Sequence, residues 1–494
     1  MAKITTVIDI GSNSMRMVVF KKTSRYAFHL INESKSKVKI SQGSYENNGV
    51  LQEIPMQRAF DALKSFLNIA VSLKSRKILC VATSALRDAP NKKEFLTKVK
   101  KELKLNIKII DGQKEAYYGA VASSNLLGLN SFATLDIGGG STEIAIIKDK
   151  IIKQKISLKI GTVRVEELFL SKGDIKGAKQ YIIDILEKNK TIFQDYLSLF
   201  STIAGLGGTS RAIARSIIAK ENYPLDILHN FRFDIQNNQE LFKNIIEASS
   251  KKELKNLAIR KDRFDTIKAG TMIFQTIIEY FGTKSVVTSG VGVREGVYLC
   301  DILRTSNHKF PSNFNISVRS LLDRFTDDKT QSAYLGNNVK KIFDILQPCH
   351  NLDIKYKSIL VIISKLQLVG LSLDFYKSAD NNFWFILNGL NYIFTHEEKL
   401  LISIVSKFTT KALPKENDIK EYKDILPDIQ IIRWLNFMMS LNIVLNTEFL
   451  KIKYDYIFKN NTLEIKSNID NYLIKDTISK LEVPSNINIQ LVRI

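Results

Sequence analysis

"LDIGGGSTE", Leu135 to Glu143, places three consecutive glycines directly after a short apolar run, with Asp136 before them and Glu143 after. Apolar and β-branched residues lie on both flanks, so the stretch reads as strand, tight turn, strand. A turn of Gly, Ser and Thr exposes several backbone N–H groups in one direction, and the missing side chains let an anion approach closely. Gly138, Gly139 and Gly140 would form such a cradle, with the hydroxyls of Ser141 and Thr142 as added donors. The same form occurs earlier as "DIGSNS", Asp9 to Ser14, where Gly11, Ser12, Asn13 and Ser14 make the turn. From Asp9 to Asp136 is 127 positions, too long an interval for a solenoid, so the repeat indicates two duplicated α/β domains facing one another.

Working outward, "IPMQRAFDALKSFLNIAVSLK" carries apolar residues at helical spacing. "KILCVATSALRD" reads as strand and turn, residues 91–104 as a helix, "NIKIID" as a strand, and Gln113 to Leu127 as a helix. "FSTIAGLGGTSRAIAR" and "KSVVTSGVGVREGVYLCDIL" each read as strand, glycine turn, helix, the units of an α/β fold with ligand turns at strand ends. After about residue 308 the glycine turns stop. Amphipathic patterns such as "EEKLLISIVSKF" predict a helical region over 309–440, followed by a hairpin around Asn460 and Asn461 and a final strand in "NINIQLVRI".

The 494 residues exceed one comfortable core. No uninterrupted apolar run reaches eighteen residues and no secretory leader pattern opens the chain, so a cytoplasmic, non-membrane protein is expected. Three widely spaced cysteines form no CxxC, which argues against a disulfide framework or a zinc knuckle. The net charge of +22 is unevenly placed: residues 1–310 hold 49 Lys and Arg against 30 Asp and Glu, and residues 311–494 hold 23 against 20. The excess lies on the part with the glycine turns, where it would attract a polyanion such as inorganic polyphosphate, nucleic acid or an anionic membrane.

The chemistry permitted by these turns is phosphate chemistry, but not of the commonest kinds. No GxxxxGK[ST] occurs, and the triple glycine leads into a strand pattern and not a helix, so neither a P-loop nor a dinucleotide fingerprint is present. Asp136 and Glu143 are hard oxygen donors of the type Mg²⁺ uses sparingly while keeping several waters. Glu143 would point inward only in one hairpin register.

"DIGSNSMRM", "ATSALRDAPN", "DGQKEAYYGAVA", "DIGGGSTE", "AGLGGTS" and "GVGVREGVY", in that order, closely resemble the exopolyphosphatase / guanosine pentaphosphate phosphohydrolase (Ppx/GppA phosphatase) family over about residues 4–303. The resemblance implies two actin/Hsp70/sugar-kinase-like (ribonuclease H-like) domains, 1–122 and 123–308, and a mainly helical domain over 309–494 ending in a small β element. It implies Glu115 in "QKEAYYG" as the catalytic group that orients or deprotonates the attacking water. The position before it is Lys114, where family members often carry a second glutamate. Arg87 matches the family's substrate-site arginine, suited to bidentate phosphate contacts, and Arg16 is a further anion-binding candidate. Gly207, Gly208 and Thr209, with Arg294, would hold distal phosphate or a nucleotide. Asp9, the counterpart of Asp136, joins Asp136 and Glu143 as a candidate ligand for Mg²⁺ or Mn²⁺. The implied activity is removal of terminal phosphate from inorganic polyphosphate. The alternatives are conversion of guanosine pentaphosphate (pppGpp) to ppGpp, and a non-catalytic sensor of polyphosphate or alarmone. A homodimer without specific nucleic-acid binding is expected. In the helical region, "LQLVG" (Leu366 to Gly370) stands where longer exopolyphosphatases have an HD-type "LHDIG"-like segment. Gln367 and Leu368 replace the metal-binding pair, so no metal site is expected there, and His350 and His396 read as ordinary polar residues.

Overall fold

The computed structural model describes residues 4–44, 46–410, 412–469 and 472–493. Strands β1 (Ile4–Ile10), β2 (Met15–Lys22) and β3 (Phe28–Ser36) form an antiparallel meander, to which β4 (Lys77–Ala82) and β5 (Ile107–Ile109) add in parallel in the order β3-β2-β1-β4-β5. Central strands with both faces covered need continuous apolar runs. Accordingly Val7, Ile8 and Ile10 of β1 are fully buried.

The second sheet contains β6 (Phe132–Ile137), β7 (Thr142–Lys148), β8 (Ile151–Leu158), β9 (Thr202–Leu206), β10 (Arg232–Asp234) and β11 (Ser285–Thr288) in the order β10-β11-β9-β6-β7-β8. From β8 inward it repeats the first sheet, meander then two parallel strands, with β10 as an extra antiparallel edge. Two ribonuclease H-like sheets of one topology are thus present, as the duplicated turns require. Helix Glu53–Ser72 buries Ala59, Phe60, Leu63 and Phe66 in the first core. Helices Gly207–Lys220 and Ile267–Tyr280 bury Ile213, Ile217, Ile273 and Phe274 in the second.

Two helices are exchanged relative to chain order. Helix Gly112–Leu126 packs on β7 and β8, while helix Val293–Ile302 packs on β1. They cross closely, since a Cβ at Gly296 would overlap the Tyr118 carbonyl. A division at 122/123 therefore falls inside a helix. Packing separates a first unit, Met1–Phe314, from a second, Asn315–Ile494.

The second unit is built from helices Ile316–Phe325, Lys329–Ile345, Lys355–Leu366, Ser378–Gly389, His396–Phe408 and Ile429–Val444. A sheet of β12 (Asp455–Lys459), β13 (Thr462–Ser467) and β14 (Asn488–Arg493) follows. Asn460 and Asn461 make the β12–β13 turn with φ of 49° and 55°, a left-handed conformation that asparagine tolerates. His350 is used up structurally: Nδ1 accepts from the Leu352 N–H at 2.9 Å and Nε2 bonds the Phe343 carbonyl at 3.0 Å. No helix among the described residues is long and apolar enough to cross a membrane.

Candidate active site

The two glycine turns close in the same way. The Gly11 N–H donates to the Ser14 carbonyl at 3.3 Å, and the Gly138 N–H donates to the Ser141 carbonyl at 2.9 Å. In each hairpin the aspartate pairs with the residue seven positions on, Asp9 with Arg16 and Asp136 with Glu143. The duplicated position thus carries opposite charges. The turns also touch, for a Cβ at Gly139 would lie 2.8 Å from the Ser12 Cβ.

One cleft of about 150 Å³ gathers most of the residues singled out in the sequence: Asp9, Gly11, Ser12, Asn13, Arg16, Glu115, Asp136, Gly138, Gly139, Ser141, Gly207, Gly208, Thr209 and Arg294. Four others stand behind its wall. Thr142 is fully buried and donates to the Ile160 carbonyl at 2.5 Å. Gly140 offers its carbonyl to Arg164 Nε at 3.0 Å. Glu143 Oε1 accepts from the Ser157 hydroxyl at 2.6 Å. Arg87 donates to Glu115 Oε2 at 3.1 Å and also meets Asp88 at 3.4 Å, so it stands behind a carboxylate that lines the cleft.

Two further arginines line the cleft that no motif had marked. Arg211, two positions after Thr209, is held by the carbonyls of Ser289 (2.8 Å) and Val291 (3.3 Å). Its place in "GGTSR" is the one signal that points to it. Arg263 comes from a short 3-10 turn, Lys261–Arg263, with no sequence motif, and a Cβ at Gly208 would overlap its guanidinium. Thr83, Ser84 and Thr162 complete the hydroxyl lining, with Ser12 and Ser84 joined through their hydroxyls at 2.9 Å. Gly207 has φ +75°, and a Cβ there would strike Asp136 Oδ1, so both backbone shape and space demand glycine.

Glu115 sits in the first turn of helix Gly112–Leu126, which Asp111 caps by accepting the Lys114 N–H at 2.7 Å. Burial, then the nearby Glu143, push the Glu115 carboxyl well above its usual range, and Arg87 opposes them. Burial likewise raises Glu143 to about 7 and Asp9 to about 6, and raises Asp136. Desolvation brings Arg16 down to about 10, with Arg294, Arg211 and Arg263 adding repulsion. Arg211 is lowered too, by burial and then Arg294, and such crowding is relieved by an anion between the guanidinium groups. Glu33 supplies part of it, accepting from Arg294 at 2.7 Å and facing Arg16 at 3.6 Å.

Mg²⁺ suits part of the expected carboxylate set. Asp9 Oδ1 is buried without a hydrogen-bond partner, and Asp136 lies close enough to raise its pKa. Two such hard oxygens match the one or two carboxylates with which Mg²⁺ is usually held beside a substrate phosphate. Glu143 does not complete a third ligand: no group of three His, Cys, Asp or Glu among the described residues is arranged to hold a metal.

Fold and cleft together define a duplicated ribonuclease H-like protein with an arginine-lined cleft between twin hairpin turns. Residues 18–305 match the Ppx/GppA phosphatase family, and the chain belongs to that family. It is 28% identical over 425 residues to a guanosine-5'-triphosphate,3'-diphosphate pyrophosphatase of Aeromonas hydrophila, covering 83% of each chain. It is 32% identical over 298 residues to a bifunctional 3-dehydroquinate synthase/phosphatase of Fusobacterium nucleatum, spanning 57% of this chain and 44% of that protein's length. Among solved structures, the Aquifex aeolicus Ppx/GppA family member aligns with a TM-score of 0.51 at 27% identity, over 62% of this chain and 99% of its own. An exopolyphosphatase of Cytophaga hutchinsonii shares the fold with a TM-score of 0.57 at 23% identity, over 61% of this chain and 98% of its own.

Proposed function

We propose that this family phosphatase hydrolyses the terminal phosphoanhydride of inorganic polyphosphate, releasing orthophosphate. The observation that carries the reading is Glu115, opening from its paired position into a cleft walled by two amide turns and four arginines. The turn amides, with the hydroxyls of Ser12, Ser84 and Ser141, bind the terminal phosphate oxygens. Arg16, Arg211, Arg263 and Arg294 hold the next phosphates and the charge that collects on the bridging oxygen. Glu115 takes a proton from a water as its oxygen bonds the terminal phosphorus. The bond from phosphorus to the bridging oxygen breaks, and that oxygen leaves with the electron pair on the shortened chain. Arg87 opposes the burial that raises Glu115 and so favours its ionised form. Asp9 and Asp136 would hold Mg²⁺, which supplies neutralising charge at phosphate oxygens when bound.

A second reading, conversion of guanosine pentaphosphate to the tetraphosphate, is favoured by the similarity over 83% of both chains to the Aeromonas hydrophila protein. The concentration of positive charge on residues 1–310 favours the polymer. The test is phosphate release from long-chain polyphosphate, guanosine pentaphosphate and ATP, each with and without Mg²⁺. Polyphosphate is expected to give the highest kcat/KM. A clear preference for the nucleotide would replace the first reading with the second, and release from none would sink both.

A further inference from the structure

We infer that Lys35, Lys37 and Lys39 form the track along which a polyanionic chain leaves the cleft, and that Asp262 and Asp265 occupy this track when no substrate does. Such a track presupposes the phosphoanhydride reading above and names where the distal phosphates go.

Three placements locate the lysines at the cleft. Lys35 lies directly across the β2–β3 ladder from Arg16, a cleft residue. The Lys39 N–H donates to the carbonyl of Asn13, another cleft residue, at 2.9 Å. Alternate residues of an extended segment share a face and stand about 7 Å apart. Positions 33, 35 and 37 therefore continue one row that begins at Glu33, the partner of Arg16 and Arg294.

The lysines are not solvated at random. Lys35 Nζ meets Asp262 at 2.5 Å, while Lys37 and Lys39 both reach Asp265 at 2.7 Å. Lys37 also donates to the Asp262 carbonyl at 3.2 Å. Asp262 and Asp265 flank Arg263, whose guanidinium is in the cleft. Three ammonium groups are thus shared between two carboxylates on a segment anchored at the site, and all five side chains keep between 29% and 40% of their surface exposed. Pairs this exposed contribute little to stability, so their displacement costs little. A phosphate chain carrying a negative charge on every unit replaces two carboxylates with more charge at the same row and releases counterions on binding.

The test uses the full chain and measures binding of end-labelled long-chain polyphosphate and of tripolyphosphate by fluorescence anisotropy. It compares wild type with K35Q/K37Q/K39Q and with D262N/D265N, and records thermal unfolding of each. The triple variant is expected to lose about tenfold or more in affinity for the long chain, with a flatter salt dependence, and less than about threefold for tripolyphosphate. The double variant, with its lysines freed, is expected to bind the long chain more tightly. If the triple variant does not fold, K37Q alone, which leaves the Lys35 and Lys39 pairs in place, should show the same chain-length dependence at smaller size. Aspartates and lysines that only fasten two segments together would make both variants shift binding in one direction, regardless of chain length. That result overturns the inference. A chain that binds polyphosphate through these lysines yet releases no phosphate would instead sink the functional reading while leaving the track standing.

Discussion

The Arg87 guanidinium donates to Oε2 of Glu115 at 3.1 Å, with the arginine on helix Ser84–Asp88 and the glutamate at the start of helix Gly112–Leu126. Helix Ser84–Asp88 follows β4 and helix Gly112–Leu126 follows β5, its neighbour in the first sheet, so the pair bridges two adjacent strand ends. Burial and Glu143 raise the Glu115 carboxyl, and Arg87 partly opposes them.

Two outcomes follow for this pair. Glu115→Gln keeps the shape and removes the proposed base, and phosphate release should fall about 10²-fold or more while polyphosphate binding survives. Arg87→Met removes the neighbouring cation that favours the ionised carboxylate. A base works only when deprotonated, so the acid limb of the kcat/KM profile should move to higher pH. An unmoved limb would show that Glu115 does not carry it.

Contact between the twin turns should be equally sensitive. Gly139→Ala puts a methyl 2.8 Å from the Ser12 Cβ, closer than carbon atoms tolerate. The turns must part, and turnover should fall about tenfold or more with little change in melting temperature. Adding Ser12→Gly removes the opposing carbon, and a double-mutant cycle should show recovery of part of the loss.

Glu33 shares its carboxylate between Arg294 and Arg16 at the rim of the cleft. Glu33→Gln removes the carboxylate that Arg294 donates to and Arg16 faces, so both guanidinium groups lose a positioning partner. If, as proposed, they hold substrate charge before and during reaction, KM should change by severalfold more than kcat. An effect confined to kcat would place them on the reacting phosphate alone.

In the helical unit, Lys399 is 5% exposed in helix His396–Phe408, and burial lowers its amine to about 8 from 10.5. Its folded-state pKa lies below the unfolded one, so the unfolded chain holds the proton more tightly. Stability should therefore rise as pH increases from about 8 to 10.5. Lys399→Met removes the penalty and should raise stability at pH 7 by up to about 3 kcal/mol, with a smaller gain at pH 10. Chemical denaturation at the two pH values reads the difference.

Much of this architecture is legible in the chain because it is local. Asp-Ile-Gly turns between apolar runs announce their own hairpins, and two of them 127 positions apart announce a duplication. The Asn460-Asn461 turn and the strand–glycine–helix units at Gly207 and Gly292 are read the same way, since turn chemistry needs only neighbouring residues. What no window of sequence contains is the pairing of distant segments. Arg263 enters the cleft from a short 3-10 turn with no motif, and Arg87 turns to Glu115 because two helices converge there. The register that sets Arg16 opposite Asp9 and Glu143 opposite Asp136 gives twin hairpins opposite charges, yet packing, with Ser157 holding Glu143, keeps one in the cleft and the other behind it. Backbone turns are decided within a few residues. Which charges meet is decided by tertiary packing, because a charge's partner is whatever the fold brings within a few ångströms.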